Sequence, residues 1–287
     1  MRDTDIAASS GAGARRGQSY LNGATLMTTP TDRQLEVARK AGFSGIEARA
    51  ERLVGDAGEL RAAAALVRPG EVWSLNGVRL GLQPDGAAEL DALEADMPPR
   101  LAICRALGAP YLLAVPARVP GLDARRGLPG TRQGLARARD LAAAAGVRVA
   151  FEFLGFPDCP IRTPRLAGEV VSAIHDVDLI LDVAHWHASG SPPLEGFPVD
   201  RLAMVHLNDL PQKPLAKLED ADRLLPLEGV IRLADLMRDL RARGYAGPFS
   251  LETFNPAHWA ADPLDLATRG FRAVTSVVGD RAVSEVL

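Results

Sequence analysis

Short strand-like runs alternate with longer helical stretches along this chain, and no other feature narrows its fold as much. Eight runs read as strands: 19–24 (SYLNGA), 45–50 (GIEARA), 72–77 (VWSLNG), 111–117 (YLLAVPA), 148–154 (RVAFEFL), 179–184 (LILDVA), 204–209 (MVHLND) and 249–254 (FSLETF). Most open with apolar residues and close with polar ones, as strands do when both faces are buried and one end opens into a site. Strands separated by helices pair in parallel through right-handed crossovers. Eight of them can close into a barrel, which leaves no unpaired edge. The expected fold is α/β, a single (β/α)8 TIM barrel. A doubly wound open sheet is the runner-up. It would normally carry a Gly-rich phosphate loop after its first strand, and LNGATLMTTP is not one.

The intervening segments carry helix signals. Residues 31–42 begin with a Thr/Asp cap and stop at Gly, and 131–146 and 231–244 also end at Gly, as helices commonly do. Residues 163–174 have Pro near their start, where the missing N–H costs nothing, and 263–279 form the closing helix. The stretch 188–200 (ASGSPPLEGFPVD) reads as a weak, Pro-rich crossover. No linker, second domain or repeat is visible. Residues 1–18, rich in small side chains, read as a disordered tail and 19–287 as the barrel. The 287 residues suit one barrel of about 250 plus a short extension.

Composition limits the partners. A formal net charge of −3 argues against nucleic acid, which needs a basic face. The two cysteines, Cys104 and Cys159, form no disulfide framework or CxxC pair, so a reducing, cytoplasmic setting is expected. No apolar run reaches the roughly 18 residues of a membrane span, and the N-terminus lacks the apolar segment of a secretory signal. The expected partner is a small molecule; homo-oligomers are left open.

The active site of such a barrel lies where the strands end. There strand five offers Glu152, strand six Asp182, strand seven His206 and strand eight Glu252. Each alone is more often a hydrogen-bonded polar strand end than a ligand. Together, at one depth on four consecutive strands, they converge. Three carboxylates sharing a partly buried space repel one another, and a divalent cation removes the conflict. Oxygen-rich ligation with one imidazole suits Mn2+, the leading choice, and also Zn2+, Co2+ or Mg2+. His185, three residues after Asp182, reads either as a loop histidine or as a group over the metal, and His187 as structural. Asp209 is a candidate to orient His206 or to bind substrate. Lys213 and Arg223 read as solvated loop charges or as substrate contacts. Asn22, Arg49 and Asn76 end strands one to three and are candidate hydroxyl binders. Cys159 reads as a small buried residue, Trp73 as core, and Trp186 and Trp259 as covers over the site or a partner surface.

Several segments resemble the xylose-isomerase-like barrel superfamily of sugar isomerases and epimerases and, within it, the inosose (2-keto-myo-inositol) isomerases. They are GFSGIEARAERL, FEFLGFPDCPIRTP, LDVAHWHASGS, HLNDLP and GYAGPFSLETFNP, and the likeness runs from about Tyr20 to the last helix. The resemblance implies that Glu152, Asp182, His206 and Glu252 are metal ligands, and that His185 and Arg223 surround the substrate. It departs at Asn255, where an Arg is expected, and over Leu210–Lys217. The superfamily's DNA-repair endonucleases need a His-rich, multi-metal site, which five histidines do not supply.

The expected activity is a metal-dependent isomerase. It would act on a keto-polyol, an inosose or ketose, by enediolate proton transfer next to the carbonyl, with Glu152 or Glu252 as base and His185 beside the substrate. No organic cofactor is needed. The same enediolate would serve a ketose 3-epimerase or an inosose- or 3-dehydroshikimate-type dehydratase. A sugar-binding accessory barrel without catalysis is the non-enzyme alternative.

Overall fold

The computed structural model describes residues 17–279. The expectation of a disordered tail over 1–18 falls, except for its last two residues, outside the described residues. Eight parallel strands form a closed barrel in chain order, as the sequence predicts. They are β1 (Ser19–Asn22), β2 (Gly45–Arg49), β3 (Val72–Leu80), β4 (Tyr111–Pro116), β5 (Arg148–Glu152), β6 (Val177–Asp182), β7 (Leu202–Leu207) and β8 (Phe249–Leu251). Closure is made by β1 against β8, with Tyr20 beside Ser250 and Leu21 beside Leu251.

The helices among the described residues are α1 (Thr31–Ala41), α2 (Ala50–Leu53), α3 (Ala57–Leu66), α4 (Leu90–Leu107), α5 (Ala124–Ala144), α6 (Pro164–Val171), α7 (Val183–Ala188), α8 (Leu233–Ala242), α9 (Pro256–Trp259) and α10 (Pro263–Val278). No described helix is long and apolar enough to cross a membrane.

Local chemistry sets the helix boundaries. The α1 N-terminus is capped from a distance: Glu59 accepts from Thr31 N (2.8 Å) and Thr31 Oγ1 (2.6 Å). At its other end Gly42 turns left-handed at φ 106°, where a side chain would be strained. Thr163 and Asp262 cap α6 and α10, each followed by Pro at the first helical position, where no N–H is missed. Gly168 of α6 lies so close to the Pro-rich crossover that a Cβ there would sit 1.9 Å from Gly196 O.

Two apolar layers hold the barrel. Inside, Tyr20, Trp73, Leu113, Ala150, Ile180 and Met204 pack as a plug. Outside, strand residues such as Ile46, Val149, Leu181 and Leu207 meet helix residues such as Leu35, Leu135, Val170 and Leu266. Each such side chain, when fully buried, contributes roughly 1.5–3 kcal/mol. The inner plug fills the lower barrel and leaves the C-terminal strand ends open for chemistry.

Several element boundaries differ from the sequence reading, and three of them bear on the site. The last strand stops at Leu251, so Glu252 and Thr253 lie just past it. The sixth strand yields to α7 at once, because the Asp182 carboxylate accepts from His185 N at 3.0 Å and starts a helix. The third strand runs on to Leu80.

A candidate metal centre at the C-terminal strand ends

Glu152, Asp182, His206 and Glu252 come together as the strand ends imply. Each offers a ligand atom within 4.8 Å of the other three, and all four are buried. Register places Glu152 beside Ile180 and Asp182 beside His206, so neighbouring strands deliver the groups at one depth. The Nδ1 of His206 lies 3.1 Å from Glu252 Oε2, 3.6 Å from Glu152 Oε2 and 3.9 Å from Asp182 Oδ2. It is buried and makes no hydrogen bond of acceptable geometry. A buried, unpartnered imidazole nitrogen facing three carboxylates fits a divalent cation.

The other face of His206 is held by a residue that sequence reasoning missed. Glu47, in the middle of β2, lies 3.1 Å from His206 Nε2 through Oε1. It is fully buried and accepts from Asn22 Nδ2 (3.1 Å) and Ser74 Oγ (2.7 Å). With Nε2 turned to Glu47, Nδ1 is the nitrogen that faces the carboxylates, an orientation that metal-bound imidazoles commonly receive from a carboxylate.

Arg223 reaches into the cluster from the long segment between β7 and α8. Its Nη1 lies 2.7 Å from Asp182 Oδ2 and 2.8 Å from Glu252 Oε2, and its Nη2 lies 2.7 Å from Asp220 Oδ1. It also donates from Nη2 to His185 Nε2 at 3.1 Å. Asn208, also unforeseen, donates to Asp182 Oδ2 at 3.0 Å.

The electrostatics follow from this crowding. Burial opposes the charge on Glu252, but His206, Arg223 and Arg49 outweigh it and hold its carboxyl well below the usual range. Burial pushes Glu152 well up, against the pull of His206, and repulsion from Glu252 and Asp182 adds to it. Burial works against a charged His206, yet Glu47 and Glu252 raise it well above an ordinary histidine. Burial lowers His185 and keeps it neutral.

A cavity of about 680 Å³ opens onto the cluster. Glu152, Glu252, Arg223, Arg49 and Asn76 line it. The ring of Phe254 carries two guanidiniums, with Arg49 Cζ 5.0 Å and Arg223 Cζ 5.2 Å from its centroid.

Other sequence candidates lie elsewhere. Asn22 is fully buried and occupied by Glu47 and Ala24 N, so it supports the centre from below and is no hydroxyl binder. Asp209 does not orient His206. It accepts from the amides of Leu210 (2.9 Å), Leu227 (3.1 Å) and Ile231 (2.9 Å), pinning the β7–α8 segment. Lys213 pairs with Asp222 at 2.7 Å, outside the cavity lining. His185 is enclosed behind Glu152, 3.6 Å from its Oε1. His187 bonds Ser191. Trp186 and Trp259 donate to Pro192 O and Ala24 O and cover no part of the cavity. Cys159 is buried, its thiol pushed up to about 12. Asn255, at the position where an Arg was expected, donates to Arg223 O at 3.1 Å and so steadies the segment that carries Arg223.

Fold and site together define a (β/α)8 barrel with a carboxylate–histidine centre at its mouth. The model of the family described as xylose isomerase-like TIM barrel matches residues 35–273, and the chain belongs to that family. It is 32% identical over 163 residues to an inosose isomerase of Halalkalibacterium halodurans, a match covering 54% of this chain and 57% of that protein. Over 161 residues it is 30% identical to the inosose isomerase of Bacillus subtilis, covering 54% and 58%. The matched region thus spans somewhat over half the length of these relatives. In structure the chain is similar to the IOLI protein solved with a bound zinc atom, with a TM-score of 0.81 and 25% identity over 91% of this chain and 98% of that one.

Proposed function

We propose that this protein is a metal-dependent isomerase of a keto-polyol, an inosose or ketose, working by proton transfer next to the carbonyl. One observation carries the reading: a buried, unpartnered His206 Nδ1 faces three carboxylates beside an open cavity. The inosose isomerase relatives and the zinc bound by the IOLI neighbour support it. Glu152, Asp182, His206 and Glu252 hold one divalent ion, Mn2+ being the first choice and Zn2+ the one present in the neighbour.

A divalent ion held there supplies Lewis acidity, which polarises a ketone and acidifies its α-proton. Of the four ligands, Glu152 and Glu252 line the cavity. They are the groups placed to take the proton and return it to the neighbouring carbon. Arg223 fixes the Asp182 and Glu252 oxygens. His185, neutral and between Arg223 and Glu152, keeps the orientation of both. Fixed geometry offsets the modest basicity of an ionised ligand carboxylate.

A similarity to a 3-dehydroshikimate dehydratase of Pseudomonas aeruginosa, 29% identical over 146 residues that make up 49% of this chain and 23% of that protein, supports dehydration as the second reading. It shares the first proton abstraction and differs in losing a β-hydroxyl.

Incubation of the Mn2+-loaded protein with keto-inositols and ketoses in D2O tests the proposal. Deuterium should enter at the carbon next to the carbonyl. No exchange, together with no primary isotope effect from substrate deuterated at that carbon, would overturn it and leave hydride transfer or a non-catalytic sugar-binding barrel.

A further inference from the structure

Asn76 of β3 stands in register with Arg49 of β2 on one side and Leu113 of β4 on the other. All three line the cavity, and Asn76 is fully buried. One end of its carboxamide meets Ser74 Oγ at 3.1 Å, and the other end is enclosed without a partner. The two ends of a carboxamide have nearly the same shape and opposite chemistry, so the partners decide which end is which.

Ser74 decides it here. Its hydroxyl carries one proton. Glu47 Oε2 lies 2.7 Å from Ser74 Oγ and, as a carboxylate oxygen, only accepts. The other Glu47 oxygen is committed in the same sense. It accepts from Asn22 Nδ2 at 3.1 Å, and Asn22 cannot turn round because its Oδ1 already takes the Ala24 N–H at 2.9 Å. The shorter bond, to a charged acceptor, is the stronger one, so the Ser74 proton goes to Glu47. With Asn76 Oδ1 toward Ser74, two acceptors face that one proton, and Nδ2 is a buried donor with nothing to meet. A buried N–H without a partner is rarer than a carbonyl oxygen without one. With the carboxamide turned by about 180°, Nδ2 donates to Ser74 Oγ, Ser74 donates to Glu47, and Oδ1 becomes the free end.

We infer that Asn76 offers Oδ1 to the cavity as a hydrogen-bond acceptor, fixed in that sense by Ser74 and Glu47, and that it selects a substrate hydroxyl there. The inference rests on the keto-polyol reading and adds to it one position at which the substrate must donate. A hydroxyl bound at Asn76 completes a chain whose bonds all point one way: substrate O–H to Asn76 Oδ1, Asn76 Nδ2–H to Ser74 Oγ, and Ser74 O–H to Glu47 Oε2. Bonds in such a chain strengthen one another. The chain ends on the carboxylate 3.1 Å from His206 Nε2, so one network reads the substrate and aims a proposed metal ligand. A group that only accepts, placed where the hydroxyl belongs, sets acceptor against acceptor and leaves Oδ1 buried and unpaired, which is how a polar site rejects a near-isostere.

Two measurements test it. Neutron diffraction from crystals of the protein exchanged into D2O distinguishes the ND2 group of Asn76 from its oxygen. The ND2 group should face Ser74 Oγ, and the reverse orientation overturns the inference. Calorimetry titrates Mn2+-loaded wild type, Asn76→Ala and Ser74→Ala with the keto-inositol scyllo-inosose and with derivatives in which each hydroxyl in turn becomes hydrogen or fluorine. At one position both replacements should weaken wild-type binding about tenfold. In either variant, hydroxyl and fluorine at that position should bind within about twofold of each other. Ser74→Ala keeps the Asn76 side chain and frees it to turn, so it reads the constraint and not only the contact. Four results each overturn the inference: a fluorine that restores the affinity hydrogen loses, a preference that survives either variant, equal losses at every position, or no detectable binding. Deuterium exchange in the same mixtures separates the inference from the reading beneath it. Exchange without hydroxyl selection removes the role of Asn76 and keeps proton transfer. Hydroxyl selection without exchange keeps that role and removes proton transfer.

Discussion

Glu47 of β2 lies 3.1 Å from His206 of β7, both side chains fully buried, so the imidazole is held from the side opposite its three carboxylate neighbours. Replacing Glu47 with Gln should leave all four ligands in place yet weaken divalent-ion affinity about 10- to 100-fold, the usual cost of losing such a partner. Chelator competition with Zn2+ measures it. An unchanged affinity would mean that packing alone orients the ring.

His206→Ala removes one of the proposed ligand atoms outright. Wild-type protein loaded with Mn2+ or Zn2+ and desalted should carry about one equivalent per chain by elemental analysis, and the variant should lose most of it. Full occupancy in the variant would show that the four residues are not the binding set. Glu252→Gln should keep most of the fold and abolish solvent exchange.

His185 touches Arg223 and faces Glu152 without lining the cavity. We expect His185→Ala to lower kcat/KM through kcat, by roughly ten- to a hundredfold, with metal content unchanged. A rise in KM alone would point to direct substrate contact, and loss of metal would make His185 a ligand.

Glu59 ties α1 to α3 and to Arg52. Burial opposes its charge, but the bonds from Arg52 and Thr31 outweigh it and lower its pKa. A lowered carboxyl stabilises the fold fully above the unfolded value of about 4.3 and stops doing so as pH falls through the folded one. Glu59→Gln should cost about 1–3 kcal/mol at neutral pH. Urea denaturation at pH 7 and pH 3 should show the difference from wild type shrinking in acid.

The barrel and the clustering of its candidate ligands were legible because one rule serves both. Apolar runs ending in Glu152, Asp182, His206 and Glu252 mark strands and site together. Glu47 escaped because it sits inside its run, and the strand-end rule selected Arg49, two residues on and on the same face. Its signal was available in part: an acid within a doubly buried strand needs partners, and Ser74 and Asn22 stand beside it in register. Helix α4 carries Pro98 and Pro99 in its interior, where proline normally ends a helical pattern. Asp209 misled because its partners, the amides of Leu227 and Ile231, lie about twenty residues on along an irregular segment. Arg79 lies in the part of β3 beyond the run read as a strand, Arg118 just past β4 and Arg100 on a helix, so only the folded cavity gathers them.

The pairing of β8 with β1 has a consequence for how the centre comes into being during synthesis. Glu152, Asp182 and His206 leave the ribosome well before Glu252, and Glu47 long before any of them. A nascent chain ending ahead of residue 252 has an incomplete ligand set, and the β2–β7 contact that aims His206 spans the barrel interior. On the proposed ligand assignment, tight ion capture would be a late event, reserved for chains whose ends have met, and the ion would in turn act as a clasp favouring finished barrels over partly assembled ones.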